Sequence, residues 1–171
     1  MLPSSLLPHW QATEPQLASL AERMGWQWSD FFTGLNEEQQ TALQTVIALS
    51  DYVADAFPRD HEHLCAAVSD GSINIQITPK TMNDWLDQLA HEASTEDEWH
   101  AALRKLRRRA MVHIIWRDAL KKASTLETTR ALSQLADVCV IRSIQFLSPL
   151  LESRHGQPVG KESGEQQHLL V

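Results

Sequence analysis

The sequence predicts an all-α protein, a multi-helix bundle with two long helices over about residues 95–122 and 125–154. Apolar residues recur at three- and four-residue spacing along most of the 171 residues, which is the period of a helix that buries one face. The chain contains six Gly and seven Pro, so few residues interrupt these patterns. A chain of this length commonly builds one core, and we expect a single helical domain over 1–171.

The first helix is expected to begin close to Thr13. This residue is a suitable N-cap, and Glu14 and Pro15 follow it as they often do in a first helical turn. Helical spacing of apolar residues then continues until Gly25. The aromatic segment 26–34 is expected to be a linker whose rings pack back onto helices.

Three further helices are expected before the long ones. Asn36 followed by acidic residues predicts a second helix, which continues to Phe57. Asp60 is expected to cap a third helix that ends near residue 70. The alternating residues 73–77 predict an extended linker, and 81–91 predict a fourth helix.

The two long helices carry the clearest signals. Residues 94–98 are similar to a capping box, and no breaker follows until about Lys122. Residues 110–116 are apolar nearly all round, which is typical of a buried segment. Ser124 or Thr125 is expected to cap the last helix, and Pro149 is a possible kink within it.

The end of the chain has a different pattern. Residues 156–168 are polar and contain glycine, which predicts a loop. The final residues 169–171 begin an apolar run that resembles a truncated strand at the C-terminus. We therefore expect a further layer of structure to follow in a longer protein.

Composition restricts the class of protein. The first ten residues contain neither the basic nor the apolar region of a secretory leader, and no later apolar run is long enough to span a membrane, so we expect neither feature. Cys65 and Cys139 lie in apolar helical patterns without metal-like spacing, so free thiols in a reducing compartment are expected. These observations favour a cytoplasmic protein with no membrane partner.

Positive charge is concentrated in one helix. Residues 104–122 contain eight basic residues and one acidic residue, whereas the rest of the chain contains seven basic and 21 acidic residues. This distribution disfavours nucleic-acid binding and leaves room for a local anion site. The candidate residues for such a site, or for support of a catalytic sheet, are Arg104, Arg107, Arg108, Arg109 and Arg117.

An alternative interpretation remains open for these arginines. Arg104 and Arg108 share one helical face and Lys105 shares another with Arg109, because residues four positions apart are neighbours on a helix. The same residues would be structural if they formed ion pairs with acids of neighbouring helices.

No catalytic constellation is recognisable in the sequence. Glu96 and Glu98 are the nearest approach to paired carboxylates, but at a helix start they are better explained by the helix dipole. His61 and His63 are two residues apart and would point to different sides of a helix. We therefore predict no catalytic residue, no metal site and no cofactor in this chain.

Three stretches together resemble a known family. Residues 49–53 (Leu-Ser-Asp-Tyr-Val) resemble its early "L-S-D/T-F-V" helix. Residues 103–111 (Leu-Arg-Lys-Leu-Arg-Arg-Arg-Ala-Met), with Arg117 and Asp118, are similar to its "L-R-x-F-R-R-R-x-M" helix that closes in "R-D". Residues 134–151 resemble its following "L-A" helix. The family is that of the bifunctional glutamine synthetase adenylyltransferase/adenylyl-removing enzymes.

The resemblance implies a function for the parent protein. Members add AMP to a tyrosine of glutamine synthetase and remove it by phosphorolysis, using Mg²⁺ and ATP or ADP, with glutamine synthetase and the PII signalling protein as partners. The family's "G-x-G-K-x-G-G" turn and "S-D-x-D" pair are absent here. The chain is thus expected to be an inactive N-terminal helical scaffold. The alternative is a stand-alone helical module that binds a protein partner through an exposed apolar groove.

Overall fold

The computed structural model describes residues 2–167, which form eight α-helices and one short 3₁₀ turn. The predicted all-α fold is confirmed, since these residues contain no strand beyond an isolated bridge between Val159 and Gln166. The predicted strand at 169–171 lies outside the described residues. The helices are α1 (Leu7–Arg23), α2 (Trp28–Gly34), α3 (Glu37–Leu49), α4 (Asp51–Arg59), α5 (His61–Ser69), α6 (Pro79–Leu89), α7 (Glu96–Ala119) and α8 (Thr125–His155).

The first helix begins earlier than expected. The predicted start near Thr13 is wrong, because α1 already begins at Leu7. Pro8 occupies the first turn, where the missing N–H is not needed for an intrahelical hydrogen bond. Pro15 then lies inside the helix rather than at its start.

The aromatic segment 26–34 is not a linker throughout, since α2 occupies most of it. Its rings do pack back onto other helices as predicted. The Trp28 ring centroid lies 6.3 Å from that of Trp10 in α1 and 6.2 Å from that of Phe57 in α4. These aromatic contacts hold the short α2 against its neighbours.

The predicted helix from Asn36 to Phe57 is divided in two at Ser50. This residue has an extended backbone, and its hydroxyl accepts a hydrogen bond from the Val53 N–H at 3.3 Å, so it caps a new helix, α4. Apolar spacing runs through the break, which is why periodicity alone predicts one helix. The α4 helix then continues past Pro58 to Arg59.

The segment between α5 and α6 also differs in detail from the prediction. Residues Ser72–Asn74 form a 3₁₀ turn, and the backbone becomes extended only at Ile75. Thr78 caps α6, so this helix begins two residues before the expected Thr81. The turn positions Asn74 beside the end of α7, where its side chain accepts a hydrogen bond from the Trp116 indole at 3.1 Å.

Two apolar clusters form the interior, and α7 contributes to both. Val112 and Trp116 of α7 belong to the cluster built mainly from α1–α5. Leu106, Ala110 and Ile114 belong to the cluster shared with α6 and α8. The predicted buried segment 110–116 is confirmed, because this part of α7 has other helices on both sides.

The long helices α7 and α8 pack against each other in antiparallel orientation. Near the start of α7, the Trp99 ring stacks on Phe146 of α8 with centroids 4.5 Å apart and planes 3° from parallel. Near the other end, Arg117 of α7 binds Glu127 of α8. Both predicted long helices are confirmed, and Pro149 lies inside α8.

None of the helices within residues 2–167 combines the length and the apolar composition that a membrane span requires. After α8, the described residues 156–167 form turns and the single bridge.

The Trp99–Phe146 contact should hold the second half of α8 against α7. We expect Phe146→Ala to lower the free energy of unfolding by about 2 kcal/mol, because a partly buried ring loses its packing partner. Ile141→Ala on the exposed side of the same helix is the matched control, and it should change stability by less than about 0.5 kcal/mol. Urea denaturation of both variants measures the difference, and equal effects would show that the stacking does not hold α8.

Candidate functional site

The basic residues of α7 point in two directions. Successive helical residues are rotated by about 100°, so neighbouring arginines face different surroundings. Arg104 and Arg107 are exposed, and Arg108 is half-buried. Arg109 is buried, and Arg117 is half-buried at the far end of the helix.

Arg109 forms an ion pair inside the protein. Its Nε and Nη2 donate hydrogen bonds to the two carboxylate oxygens of Asp60, at 2.9 and 3.1 Å. Both side chains are over 90% buried, with 8% and 2% of their surface exposed. The guanidinium also lies 5.6 Å from the centroid of the Trp85 ring. Arg109 therefore joins α7 to the start of α5 and to α6.

Asp60 takes part in this ion pair and does not cap α5 as the sequence predicted. It occupies the residue before α5, but its side chain makes no capping hydrogen bond. Lys105 lies one turn before Arg109, and its ammonium is 3.8 Å from the same carboxylate. The predicted face shared by Lys105 and Arg109 is confirmed, and both residues face the same acid.

Arg117 ties the end of α7 to two neighbouring segments. Its guanidinium donates to one carboxylate oxygen of Glu127 in α8, at 2.6 and 3.1 Å. It also donates to the backbone carbonyl of Asn74 and, at 3.0 Å, to that of Lys122. These contacts close the turn between the two long helices, so Arg117 has a structural role.

Arg104, Arg107 and Arg108 differ from the other two arginines. Within the described part of the chain, no carboxylate lies within ion-pairing distance of any of them. They lie on one side of α7, a helix against which both α4 and α8 pack. Among residues 2–167, these three are therefore the candidate arginines whose guanidiniums no carboxylate pairs with.

Two groups from neighbouring helices adjoin these arginines. Burial raises the pKa of the Tyr52 hydroxyl in α4, while the positive charges of Arg107 and Arg108 act in the opposite direction. Burial likewise raises the pKa of the Cys139 thiol in α8, and Arg107 opposes it. The charge of Arg107 thus acts on groups of both α4 and α8, the two helices that pack against this part of the fold.

A histidine pair lies behind the arginine face, between α5 and α7. The Nε2 atoms of His63 and His113 are 3.2 Å apart, so one imidazole donates a hydrogen bond to the other. His113 is 2% exposed, and its Nδ1 has no hydrogen-bond partner among the described residues. Burial lowers the pKa of His63 to about 4 and that of His113 to about 3, and the nearby Arg109 guanidinium adds to both shifts.

Glu98 at the start of α7 has the capping role that the similarity of residues 94–98 to a capping box predicts. One carboxylate oxygen of Glu98 accepts hydrogen bonds from the N–H groups of Ser94 and Thr95, at 2.8 and 3.0 Å. These bonds lower the pKa of Glu98 to about 2. Within residues 2–167, no group of three or more His, Cys, Asp or Glu side chains is arranged to hold a metal ion.

The histidine pair and the neighbours of the arginines have no signal in the sequence. His63 and His113 are 50 positions apart and have no spacing that marks a pair. Asp60 and Arg109 are 49 positions apart. The expectation that His61 and His63 face different sides is confirmed, since His61 stacks on Trp26 while His63 meets His113.

A comparison of the sequence with models of protein families identifies one family that it matches. The family described as glutamate-ammonia ligase adenylyltransferase matches residues 40–171, which include the arginine-bearing α7 and all of α8. The chain belongs to this adenylyltransferase family.

Relatives in the adenylyltransferase family support the same assignment. The chain is 31% identical to the bifunctional glutamine synthetase adenylyltransferase/adenylyl-removing enzyme of Pseudomonas aeruginosa over 99% of its own length and 17% of that enzyme. It is 35% identical to the Shewanella oneidensis enzyme of the same name over 94% of its length and 16% of the relative. The chain thus spans about a sixth of these relatives. No solved structure matched the chain.

The histidine pair predicts a loss of stability in acid. Each histidine has a lower pKa in the folded chain than the ordinary value of 6.5, so between about pH 6.5 and 4 the unfolded chain binds more protons. The stabilisation is complete above pH 6.5 and is lost as the pH falls through the folded-state pKa values. We expect His63→Gln/His113→Gln to reduce this loss between pH 7 and pH 5 by roughly 1 kcal/mol, after allowance for the half-exposed His63.

Urea denaturation at each pH measures this effect. The exposed His100 of α7 provides the matched control, because His100→Gln removes a titrating imidazole from the same helix without disturbing the pair. The control should keep the pH dependence of the unaltered protein. If the double variant also keeps it, the pair does not govern acid sensitivity.

Proposed function

We propose that this chain is the N-terminal helical scaffold of a glutamine synthetase adenylyltransferase/deadenylylase. The complete enzyme would add AMP to a tyrosine of glutamine synthetase and remove it by phosphorolysis, with Mg²⁺ and ATP or ADP. The observation that carries the proposal is the family match over residues 40–171. This match covers the helices that form the second apolar cluster and most of the first.

The roles of the acidic residues support a scaffold that does not itself catalyse. Phosphoryl transfer of this kind uses carboxylates that hold Mg²⁺ near the reacting phosphate. Glu98 instead caps α7, while Asp60 and Glu127 bind arginines of the same helix. These three acids are thus already engaged in holding the fold.

The exposed side of α7 and α8 supports a contact with another part of such an enzyme. Arg104, Arg107 and Arg108 provide positive charge, and Leu132 and Val140 of α8 provide apolar surface close to them. Arginine suits phosphate through paired hydrogen bonds, so these residues would either contact the nucleotide or support the catalytic sheet.

The same proposal extends to partners and compartment. Glutamine synthetase and the PII protein would be the partners of the complete enzyme. A cytoplasmic location fits the two cysteines, which are free and half-buried. The pKa of the Cys65 thiol is raised to about 12 by burial, which keeps it protonated and unreactive.

A stand-alone interaction module is the second candidate function. It is favoured by the apolar residues that α8 exposes along one side. Such a module would act by binding a partner and would not be required by a catalytic domain of the same enzyme.

Two assays separate these functions. The purified chain is incubated with adenylylated glutamine synthetase, phosphate and Mg²⁺, and we expect no release of ADP, whereas the Pseudomonas aeruginosa enzyme under the same conditions serves as the positive control. In that enzyme, deletion of the segment that matches this chain should abolish adenylyl removal. ADP release by the chain alone would contradict the inactive scaffold, and full activity of the shortened relative would favour the stand-alone module.

A further inference from the structure

One outward surface of the molecule combines unpaired positive charge with exposed apolar side chains. It consists of Arg104, Arg107 and Arg108 on α7, Tyr52 at the start of α4, and Leu132 and Val140 on α8. We call this the arginine–apolar surface. Its parts come from three helices that the fold brings together, and no single stretch of sequence contains it.

The packing of α7 on α8 brings the charged and apolar parts side by side. The contacts Trp99–Phe146 and Arg117–Glu127 set the antiparallel register of the two helices. In this register the middle of α7 faces the middle of α8, and the charge of Arg107 reaches Cys139. The same register places Val140 of α8 at about the level of Arg104 along the pair of helices.

The apolar part is a continuous row on α8. Leu132, Ala136 and Val140 are four residues apart and share one helical face, which Leu147 continues two turns later. Leu132 and Val140 are 40% and 45% exposed, and Tyr52 across the arginines is 39% exposed. Positions 132, 136, 140 and 147 of this row carry no charge, and the exposed Asp137 borders the row three positions before Val140.

The charges of this surface determine what can cover it. A second copy of the same surface would bring six guanidiniums together, which is unfavourable. A nucleic acid would satisfy the arginines but would leave the apolar row uncovered, and the net charge of −7 on the chain would repel it. A polypeptide with carboxylates beside an apolar row satisfies both parts at once.

We propose that the arginine–apolar surface docks a helical segment whose apolar row is flanked by aspartate or glutamate. The apolar row would pack along α8, and the carboxylates would pair with the three arginines of α7. This goes beyond the scaffold function, because it assigns the three arginines to an acidic helical segment in place of a nucleotide. It does not depend on whether a complete enzyme needs the chain for activity.

The test uses three labelled helical peptides that share one row of leucines. They differ only at the flanking positions, which carry Glu, Gln or Lys. Fluorescence anisotropy with the unaltered chain should show binding in the order Glu, Gln, Lys, with the Glu peptide on the order of tenfold tighter than the Gln peptide. Raising the salt concentration should weaken the Glu peptide most.

Two altered chains examine each half of the surface. Arg104→Glu/Arg107→Glu/Arg108→Glu should abolish the preference for the Glu peptide. Leu132→Ser/Val140→Ser should weaken all three peptides. The matched control is Arg23→Glu/Arg130→Glu/Lys161→Glu, which makes the same charge change at exposed positions outside the surface and should bind as the unaltered chain does.

The results decide between the possible occupants. Equal binding of the three peptides, or binding of none, would contradict the proposal. A dimer of the unaltered chain that Leu132→Ser/Val140→Ser dissociates would show that a second copy covers the surface, and the proposal would then be wrong. The peptide series requires no altered chain, so it remains decisive even if a variant fails to fold. Loss of peptide binding would leave the enzyme assays of the scaffold function unaffected.

Discussion

The rest of the structure depends on the buried ion pair between Arg109 and Asp60. Taking two charges out of water is costly, and the cost is met only when both groups are fully paired. The two hydrogen bonds of this pair fix the rotation of α7 about its axis. Once Arg109 faces inward, Arg108, Arg107 and Arg104, which lie one, two and five positions before it, are directed to the other side of the helix or to its edge.

The same rotation of α7 determines which of its residues enter the two interior clusters and which one joins the histidine pair. With α7 held in this position, Val112 and Trp116 face the first cluster, whereas Ala110 and Ile114 face the second. His113 lies one turn after Arg109 and meets His63 of α5. Burial favours the neutral forms of both imidazoles, and the Arg109 guanidinium adds to this effect, whereas Asp60 opposes it at His63. The packing of α7 that buries Arg109 therefore also accounts for the predicted acid sensitivity.

The two long helices could be predicted from local sequence signals, whereas the boundaries of the short helices could not. Thr95 with Glu98 marks the start of α7, and apolar residues at helical spacing follow without a breaker. At Ser50 the apolar spacing continues across a change of helix, because both helices pack on the same cluster. The extended backbone of Ser50 and the capping hydrogen bond that it accepts from the Val53 N–H distinguish two helices from one, and Ser50 carries no signal strong enough to outweigh the periodicity.

The candidate site could be predicted only in part, because it depends on contacts between residues that are distant in the sequence. Four-residue spacing correctly separates the face of Arg104 and Arg108 from that of Lys105 and Arg109. Spacing does not reveal which of these faces meets an acid, since Asp60 lies 49 positions away and has an equally plausible local role as a cap. Long-range pairing decides which arginines remain available to a partner, and it depends on the packing of the whole bundle.

A double-mutant cycle on Asp60 and Arg109 tests this account most directly. The variants Asp60→Ala, Arg109→Met and their combination are compared by urea denaturation, with Asp55→Ala and Arg59→Met as the cycle for an exposed pair. The account predicts a coupling of roughly 2 kcal/mol or more for the buried pair and less than about 0.5 kcal/mol for the exposed one. Similar coupling energies in the two cycles would contradict it.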